Sequence, residues 1–94
     1  MTTHVLVQTR VFDADAFVRY RKLAKPTIEA FGGRFVVRGR VAQQLEGDAD
    51  AQSVALIEFE SEAVARAWFN SEGYQAAVAA RQGVASMTLT LLAN

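Results

Sequence analysis

The order of strand-like and helical segments is the feature that most constrains the fold of this chain. Apolar runs or alternations, which are typical of strands, occur in four segments: residues 4–10, 34–38, 53–60 and 86–93. Apolar residues at steps of three and four, which are typical of amphipathic helices, follow N-terminal caps at Asp13 and Ser61. The resulting β-α-β-β-α-β order predicts a single ferredoxin-like α+β domain over residues 1–94, with a four-stranded antiparallel sheet.

Glycine and proline predict where these segments end or bend. Pro26 lies inside the first helical stretch and lacks an amide hydrogen, so we expect a kink or a split near Lys25. Gly32 supplies the left-handed residue that ends this helix. Gly39 is expected to bend the second strand before it continues over residues 41–46.

The second helical stretch also carries an internal boundary. The helix that Ser61 caps is expected to run to about Asn70. Ser71 has the character of a second cap, which predicts a turn or short helix through Tyr74 towards Arg81.

Alternation along the strands sorts the side chains of the predicted sheet between two faces. The face toward the helices holds Val5, Val7, Ala55, Ile57, Phe59, Met87, Leu89 and Leu91. The opposite face holds Leu6, Gln8, Val54, Leu56, Glu58, Thr88, Thr90 and Leu92. This second face is too apolar for water and too polar for a core, so we expect a homodimer that covers it and encloses a partly polar cavity. The alternative is a monomer with an ordinary exposed sheet face.

Composition excludes several kinds of chemistry. The chain has no cysteine and one histidine, His4, which excludes disulfides, thiolate catalysis and zinc sites built on cysteine or on a histidine pair. No apolar run is long enough to cross a membrane, and the first residues lack the pattern of a signal peptide. We therefore expect a cytoplasmic protein that uses no metal and no other cofactor.

The distribution of charge bears on the partners of the chain. Residues 1–45 carry eight basic and three acidic side chains, and residues 46–94 carry two and seven, so the net charge is zero. A general nucleic-acid binder needs a surplus of basic residues, and RNA-recognition domains need aromatic residues on the outer face of the sheet. Phe59 is the only aromatic residue of the first and third strands, and alternation places it toward the helices. We expect neither nucleic acid nor membrane as a partner.

An ordered set of motifs along nearly the whole chain resembles the domain-of-unknown-function family numbered 1330. The motifs are FGGRFVVRG at 31–39, LEGD at 45–48, IEF at 57–59, ARAWFNS at 65–71, YQ at 74–75 and Arg81. The resemblance implies a dimeric α/β barrel, in which two ferredoxin-like chains pack their sheets together. Relatives in the wider superfamily include cofactor-free monooxygenases, small isomerases and haem enzymes, whereas the family itself has no established activity.

This chain departs from the family pattern at two positions. Phe31 stands where the family often has a histidine, so any role of that imidazole is lost. Glu72 stands where the family often has a proline after the serine that matches Ser71. Haem is disfavoured, because His4 is the one candidate for an axial ligand.

Charged residues on two neighbouring strands are the first candidates for a site. Glu58 is a candidate catalytic residue, because burial in a cavity would raise its pKa and make it a proton acceptor. Arg38 is a candidate ligand-binding residue that reaches Glu58 only if the second strand has a bulge at Gly39. A structural ion pair between Arg38 and Glu58 is the competing interpretation.

Three further candidates lie in and around the second helical stretch. Tyr74 is a candidate catalytic residue, because a tyrosine hydroxyl near a pocket can orient a carbonyl. Trp68 is a candidate wall of the ligand site, and Arg81 is suited to pair with a carboxylate-bearing ligand. The competing interpretations are core packing for the two aromatic residues and a favourable helix-end charge for Arg81. His4 is expected at the surface, at the edge of the first strand.

Three hypotheses of function follow from these residues. The first is a metal-free enzyme, monooxygenase- or isomerase-like, that acts on a small, partly apolar organic molecule in a cavity beside the sheet. The second is a non-catalytic module that binds or senses such a molecule. The third is a dimer whose outer surface binds a protein partner.

Overall fold

A computed structural model describes residues 2–93 and confirms the ferredoxin-like fold. The elements, in chain order, are β1 (Thr3–Val11), α1 (Ala14–Ala30), β2 (Arg34–Arg40), β3 (Ser53–Phe59), α2 (Glu62–Phe69), α3 (Glu72–Ala80) and β4 (Ala85–Leu92). The four strands form one antiparallel sheet in the order β2-β3-β1-β4. Within the described residues, no helix combines the length and apolar character needed to cross a bilayer.

The sorting of side chains between the two sheet faces is confirmed by the register of the strands. Val5 of β1 lies opposite Ile57 and Leu91, whereas Leu6 lies opposite Leu56 and Thr90. The first set packs under the helices and the second set lies on the outer face. The buried core consists of Val5, Val7, Phe17, Tyr20, Ala24, Ile28, Ile57, Phe59, Ala65, Trp68, Tyr74 and Ala77.

Helix α1 is one continuous helix of 17 residues, so the split expected near Lys25 is wrong. Pro26 is exposed, and buried residues precede and follow it at Ala24 and Ile28. Burial of Ala24 and Ile28 in the core holds the helical path on both sides of Pro26, although proline removes one backbone hydrogen bond. Asp13 caps the start of α1 by accepting from the amide of Ala16 at 3.1 Å.

The two predicted serine caps are confirmed. Ser61 accepts from the amide of Val64, and Ser71 accepts from the amide of Tyr74. The second helical stretch is therefore two short helices, α2 and α3. The break between them turns α3 so that Tyr74 packs against α1.

Two glycines explain the tight passage from α1 into β2. Gly32 has φ +73°, the left-handed conformation expected at the end of the helix. A Cβ at Gly33 would lie 2.6 Å from Cε1 of Phe59 and 2.8 Å from Cγ2 of Ile28. The backbone at Gly33 therefore passes directly over the core.

The bulge in β2 lies at Val36 and not at Gly39. Phe35 lies opposite Ile57, Val37 lies opposite Leu56, and Val36 is the extra residue between them. The expected continuation of the strand over residues 41–46 is also wrong, because β2 ends at Arg40 and an irregular segment follows. A bulge inverts the alternation beyond it, which decides where the arginines of β2 point.

Candidate functional site

A pocket of about 780 Å³ lies between α1 and the helix-side face of the sheet. Its lining residues include Val7, Thr9, Phe17, Tyr20, Arg21, Ala24, Lys25, Ile28, Glu29, Phe35, Arg38, Arg40, Ser53, Ala55, Ile57, Trp68, Tyr74, Met87 and Leu89. The volume is in the range of small-molecule sites. The predicted cavity adjoins the opposite face of the sheet, so the pocket within this chain lies on the other side from the one expected.

One wall of the pocket is a helical stripe on α1. Phe17, Tyr20, Ala24 and Ile28 follow steps of three and four and are buried. Beside this stripe run the exposed residues Arg21, Lys25 and Glu29, which also line the pocket. The wall is therefore apolar in its depth and charged at its edge.

Two phenol groups lie in the buried part of the pocket. The hydroxyl oxygens of Tyr20 and Tyr74 are 2.7 Å apart, and the side chains come from α1 and α3. Tyr74 is fully buried and Tyr20 is 8% exposed. Burial raises the pKa of Tyr20, the neighbouring Tyr74 adds to this, and the guanidinium of Arg81 partly opposes it. Tyr20 is therefore a neutral phenol at physiological pH.

Arg81 caps the C-terminal end of α3 and lies beside this pair. Its guanidinium is 5.6 Å from the centre of the Tyr20 ring. Among the described residues, its Nε atom is buried and has no hydrogen-bond partner. Arg81 thus places a positive charge against the phenol pair from the α3 side.

Trp68 forms part of the pocket wall and of the core. Its indole N–H donates to the hydroxyl of Thr27 at 3.0 Å, which ties α2 to α1. Its ring centre lies 4.2 Å from that of Tyr74 and 5.1 Å from that of Phe59. These contacts hold Tyr74 in its place beside Tyr20.

Glu58 lies on the outer face of the sheet, away from the pocket. Its carboxylate accepts from Arg34 at 3.0 and 3.2 Å and lies 3.2 Å from Nε2 of His4. The hydrogen bonds from Arg34 lower the pKa of Glu58, with His4 contributing less, so the expected rise is wrong. The proposed pairing of Glu58 with Arg38 is also wrong, because the strand register places Arg34 opposite Glu58.

His4 is half-buried rather than at the surface, where it was expected. It lies near the start of β1, which is an inner strand of the sheet. Its side chain is 29% exposed and lies against Glu58. Together with Arg34, these residues form a small charged cluster on the outer face.

Arg38 lies on the pocket side of the sheet because of the bulge at Val36. It pairs with Ala55, and its guanidinium stacks 4.3 Å from the centre of the Phe35 ring. Arg40 pairs with Ser53 on the same side. The edge strand β2 thus brings two cations to the mouth of the pocket, facing those of α1.

The structure brings four of the five candidate residues together. Arg38, Trp68 and Tyr74 line the pocket, Arg81 contacts its phenol pair, and Glu58 does not reach it. Sequence reasoning missed Tyr20, Arg21, Lys25 and Arg40 as members of the site. Tyr20 could have been predicted as a site residue, because it carries a hydroxyl group within the otherwise apolar stripe of α1.

The comparison with known protein families decides the affiliation of the chain. The family model described as "Domain of unknown function (DUF1330)" matches residues 2–94. The chain belongs to the DUF1330 family. No match is found among the curated proteins. The family is thus established, and it carries no assigned activity.

Solved structures share the fold of this DUF1330 protein. A protein of unknown function from Rhodopseudomonas palustris is 26% identical with a TM-score of 0.81, over 97% of this chain and 80% of that one. A dimeric ferredoxin-like protein of unknown function from Jannaschia sp. is 13% identical with a TM-score of 0.67, over the full length of both. The cofactor-independent oxygenase SnoaB from Streptomyces nogalater is 14% identical with a TM-score of 0.62, over 99% of this chain and 92% of that one.

Proposed function

We propose that this DUF1330 protein is a metal-free enzyme, monooxygenase- or isomerase-like, acting on a small, partly apolar organic molecule in the pocket beside α1. The Tyr20–Tyr74 pair is the observation that carries the proposal. One hydrogen bond between two hydroxyls uses one of their two protons. Among the described residues, the second proton has no acceptor, so it is available to an oxygen atom of a ligand.

The phenol pair is suited to stabilise negative charge on a substrate oxygen. Oxygenation of an electron-rich ring by dissolved O2 converts a ring CH2 group to a carbonyl and releases water, with the electrons supplied by the substrate. This reaction and isomerisation beside a carbonyl both begin from a substrate anion whose charge lies on oxygen. Neutral donors that are fixed in a water-poor site stabilise such an oxyanion strongly. The hydroxyl that accepts within the Tyr20–Tyr74 pair would donate its own proton to the oxyanion, and the nearby charge of Arg81 would strengthen that donor.

The lining of the pocket supports chemistry without a resident metal. Its described side chains include one carboxylate, Glu29, and no histidine or cysteine, which is not a donor set that metal ions use. The pocket offers donors rather than a buried base, because Glu58 lies on the other face. The substrates that fit are therefore those that ionise readily themselves, such as acidic phenols and β-dicarbonyl compounds.

The solved structures support this reading at the level of the fold. SnoaB is a cofactor-independent oxygenase with the same fold, which is evidence that the fold is compatible with chemistry of this kind. The reaction class proposed for this chain depends on its own phenol pair.

We also propose that the protein is a homodimer, joined through the outer face of the sheet. Leu6, Val54 and Leu56 lie at the centre of that face, and Val37 and Leu92 on its outer strands are 52% and 37% exposed. An apolar face of this kind is stabilised when a second sheet covers it. A ferredoxin-like neighbour that is described as dimeric supports the proposal that this fold forms dimers.

Non-catalytic binding is the second candidate function, and the position of Glu58 favours it. With Glu58 outside the pocket, no buried carboxylate among the described residues is placed to take a proton from a ligand. A pocket with donors, cations and apolar walls is sufficient for a module that binds or senses an organic molecule.

A substrate screen with a phenol variant separates the two functions. Wild-type protein, with a chelator present, is incubated with a panel of polyphenols and β-dicarbonyl compounds, and oxygen uptake and absorbance are followed. We expect acceleration of at least one compound and a loss of about a hundredfold to a thousandfold in Tyr20→Phe, the loss typical of a removed oxyanion donor. Arg19→Gln, on the exposed side of α1, is the matched control and should keep the full rate. If the protein binds compounds of the panel but converts none of them, the enzyme hypothesis is contradicted and the non-catalytic binding module is favoured.

A further inference from the structure

The mouth of the pocket indicates the charge of its ligand. We infer that the bound molecule is an organic anion whose acidic group lies between Arg21 and Lys25 of α1 and Arg38 and Arg40 of β2. The inference rests on the pocket of the proposed function and deepens it by naming the ligand class. The acidic group is a carboxylate, sulfonate or phosphate, and the rest of the molecule is apolar.

None of the four cations forms an ion pair within the part of the chain that the structure describes. Among the described residues, the ion pairs join Glu58 to His4 and Arg34 and join Glu62 to Arg66, so none involves the four. Glu29 is the one carboxylate of the pocket lining. The mouth therefore has a positive potential that the protein does not neutralise, and an anionic ligand would do so.

The positions of these four cations are electrostatically unfavourable when no ligand is bound. Arg21 and Lys25 are four residues apart on one side of α1, where like charges destabilise a helix. Arg38 and Arg40 reach the same side of the sheet only because the bulge at Val36 inverts the alternation of β2. Without that bulge they would share the face of Arg34 and leave the pocket.

The depth of the pocket requires an apolar body rather than a bare inorganic anion. The interior beyond the cations is walled by Phe17, Ile28, Ile57, Trp68, Met87 and Leu89. Burial of an apolar body against this wall contributes to binding, and the guanidinium of Arg38 on the Phe35 ring adds a flat surface at the entrance. A planar, amphipathic organic anion satisfies both ends of the site.

A pair of dyes that differ in one charged group tests the inference. Anilinonaphthalene sulfonate and N-phenylnaphthylamine share their aromatic body, and both fluoresce when they bind an apolar pocket. We expect wild-type protein to bind the sulfonate several-fold more tightly and to lose this advantage as sodium chloride is added. The double variant Arg38→Gln/Arg40→Gln should bind the sulfonate about fivefold more weakly and the neutral dye unchanged.

A matched double variant separates the mouth from the overall charge. Arg19→Gln/Arg66→Gln removes the same two charges at exposed positions outside the pocket lining, and it should bind both dyes as wild type does. An equal loss of sulfonate binding in both double variants would overturn the inference. Equal affinity of wild-type protein for the two dyes would also overturn it while leaving the pocket intact.

The position at which the dye binds separates an error in the inferred ligand charge from an error in the proposed binding site. Amide resonances of Ser53 and Ala55, which line the pocket, should shift when the sulfonate binds. Binding of neither dye, or shifts confined to Leu6 and Leu56 on the outer face, would contradict the proposed function as well as the ligand class.

Discussion

The hydroxyl oxygens of Tyr20 and Tyr74 lie 2.7 Å apart, although 54 positions separate the two residues along the chain. They are the two tyrosines of the chain, and their hydrogen bond joins α1 to α3 within the core. The same pair faces the pocket, so it links the stability of the fold to the chemistry of the site.

Removal of both hydroxyls of this pair is expected to cost less stability than the sum of the two single removals. In Tyr20→Phe or Tyr74→Phe a buried polar group loses its partner, which should lower the free energy of unfolding by about 1 to 3 kcal/mol. The double variant leaves no unpaired hydroxyl, so its loss should be smaller than the sum of the two single losses. Urea unfolding of the four proteins measures this. Additive losses would show that the two hydroxyls do not interact.

Gly33→Ala is expected to destabilise the fold by overpacking. The new methyl group would overlap the ring of Phe59 and the side chain of Ile28, and overpacking of a core costs about 1 to 3 kcal/mol. Gly39→Ala is the matched control, because nothing lies within 4 Å of a Cβ at that position. Thermal unfolding should show a lower melting temperature for the first variant and a nearly unchanged one for the second. Equal effects would contradict the close approach at Gly33.

Acidification is expected to weaken the fold through Glu58. Arg34 lowers the pKa of Glu58 below its ordinary value of 4.5. A carboxyl whose pKa is lowered by folding stabilises the folded chain above its unfolded pKa, and this stabilisation disappears as the pH falls through the folded value. Arg34→Gln should reduce the dependence of stability on pH below about pH 5, measured by urea unfolding across that range.

A comparison variant makes this result specific to Glu58. Glu62→Gln removes an exposed carboxylate that pairs with Arg66 within α2. This variant should keep most of the decrease in folding stability that occurs below about pH 5. An acid dependence that Arg34→Gln does not alter would show that Glu58 is not held by Arg34.

A charge on the outer face is expected to separate the two copies of the chain. Leu56 lies opposite Leu6 at the centre of that face, so Leu56→Lys would bury a charge against the partner sheet. Light scattering after gel filtration should give twice the chain mass of 10.3 kDa for wild-type protein and the single mass for the variant. Leu23→Lys, on the exposed side of α1, should remain dimeric. A monomeric wild-type protein would contradict the proposed dimer.

Much of the fold could be predicted from local patterns in the sequence. Alternation sorted the strands correctly because the side-chain period of a strand is fixed at two residues. The caps at Asp13, Ser61 and Ser71 were predictable because short polar side chains satisfy the first amides of a helix. These features depend on neighbours along the chain.

The site could be predicted only in part, because it depends on contacts between distant segments. The bulge at Val36 has no local signature, and it moves Arg38 and Arg40 from one face of the sheet to the other. Tyr20 matched the apolar stripe of α1, and its role becomes visible only when α3 places Tyr74 beside it.

Native mass spectrometry tests most directly whether the protein is a dimer with a small molecule in its pocket. The protein is purified from a host that is closely related to its source organism. We expect twice the chain mass together with the mass of a small organic molecule, which is released under denaturing conditions. The mass of the released molecule would identify its class. A bare species at the single chain mass would contradict both the occupied pocket and the dimer.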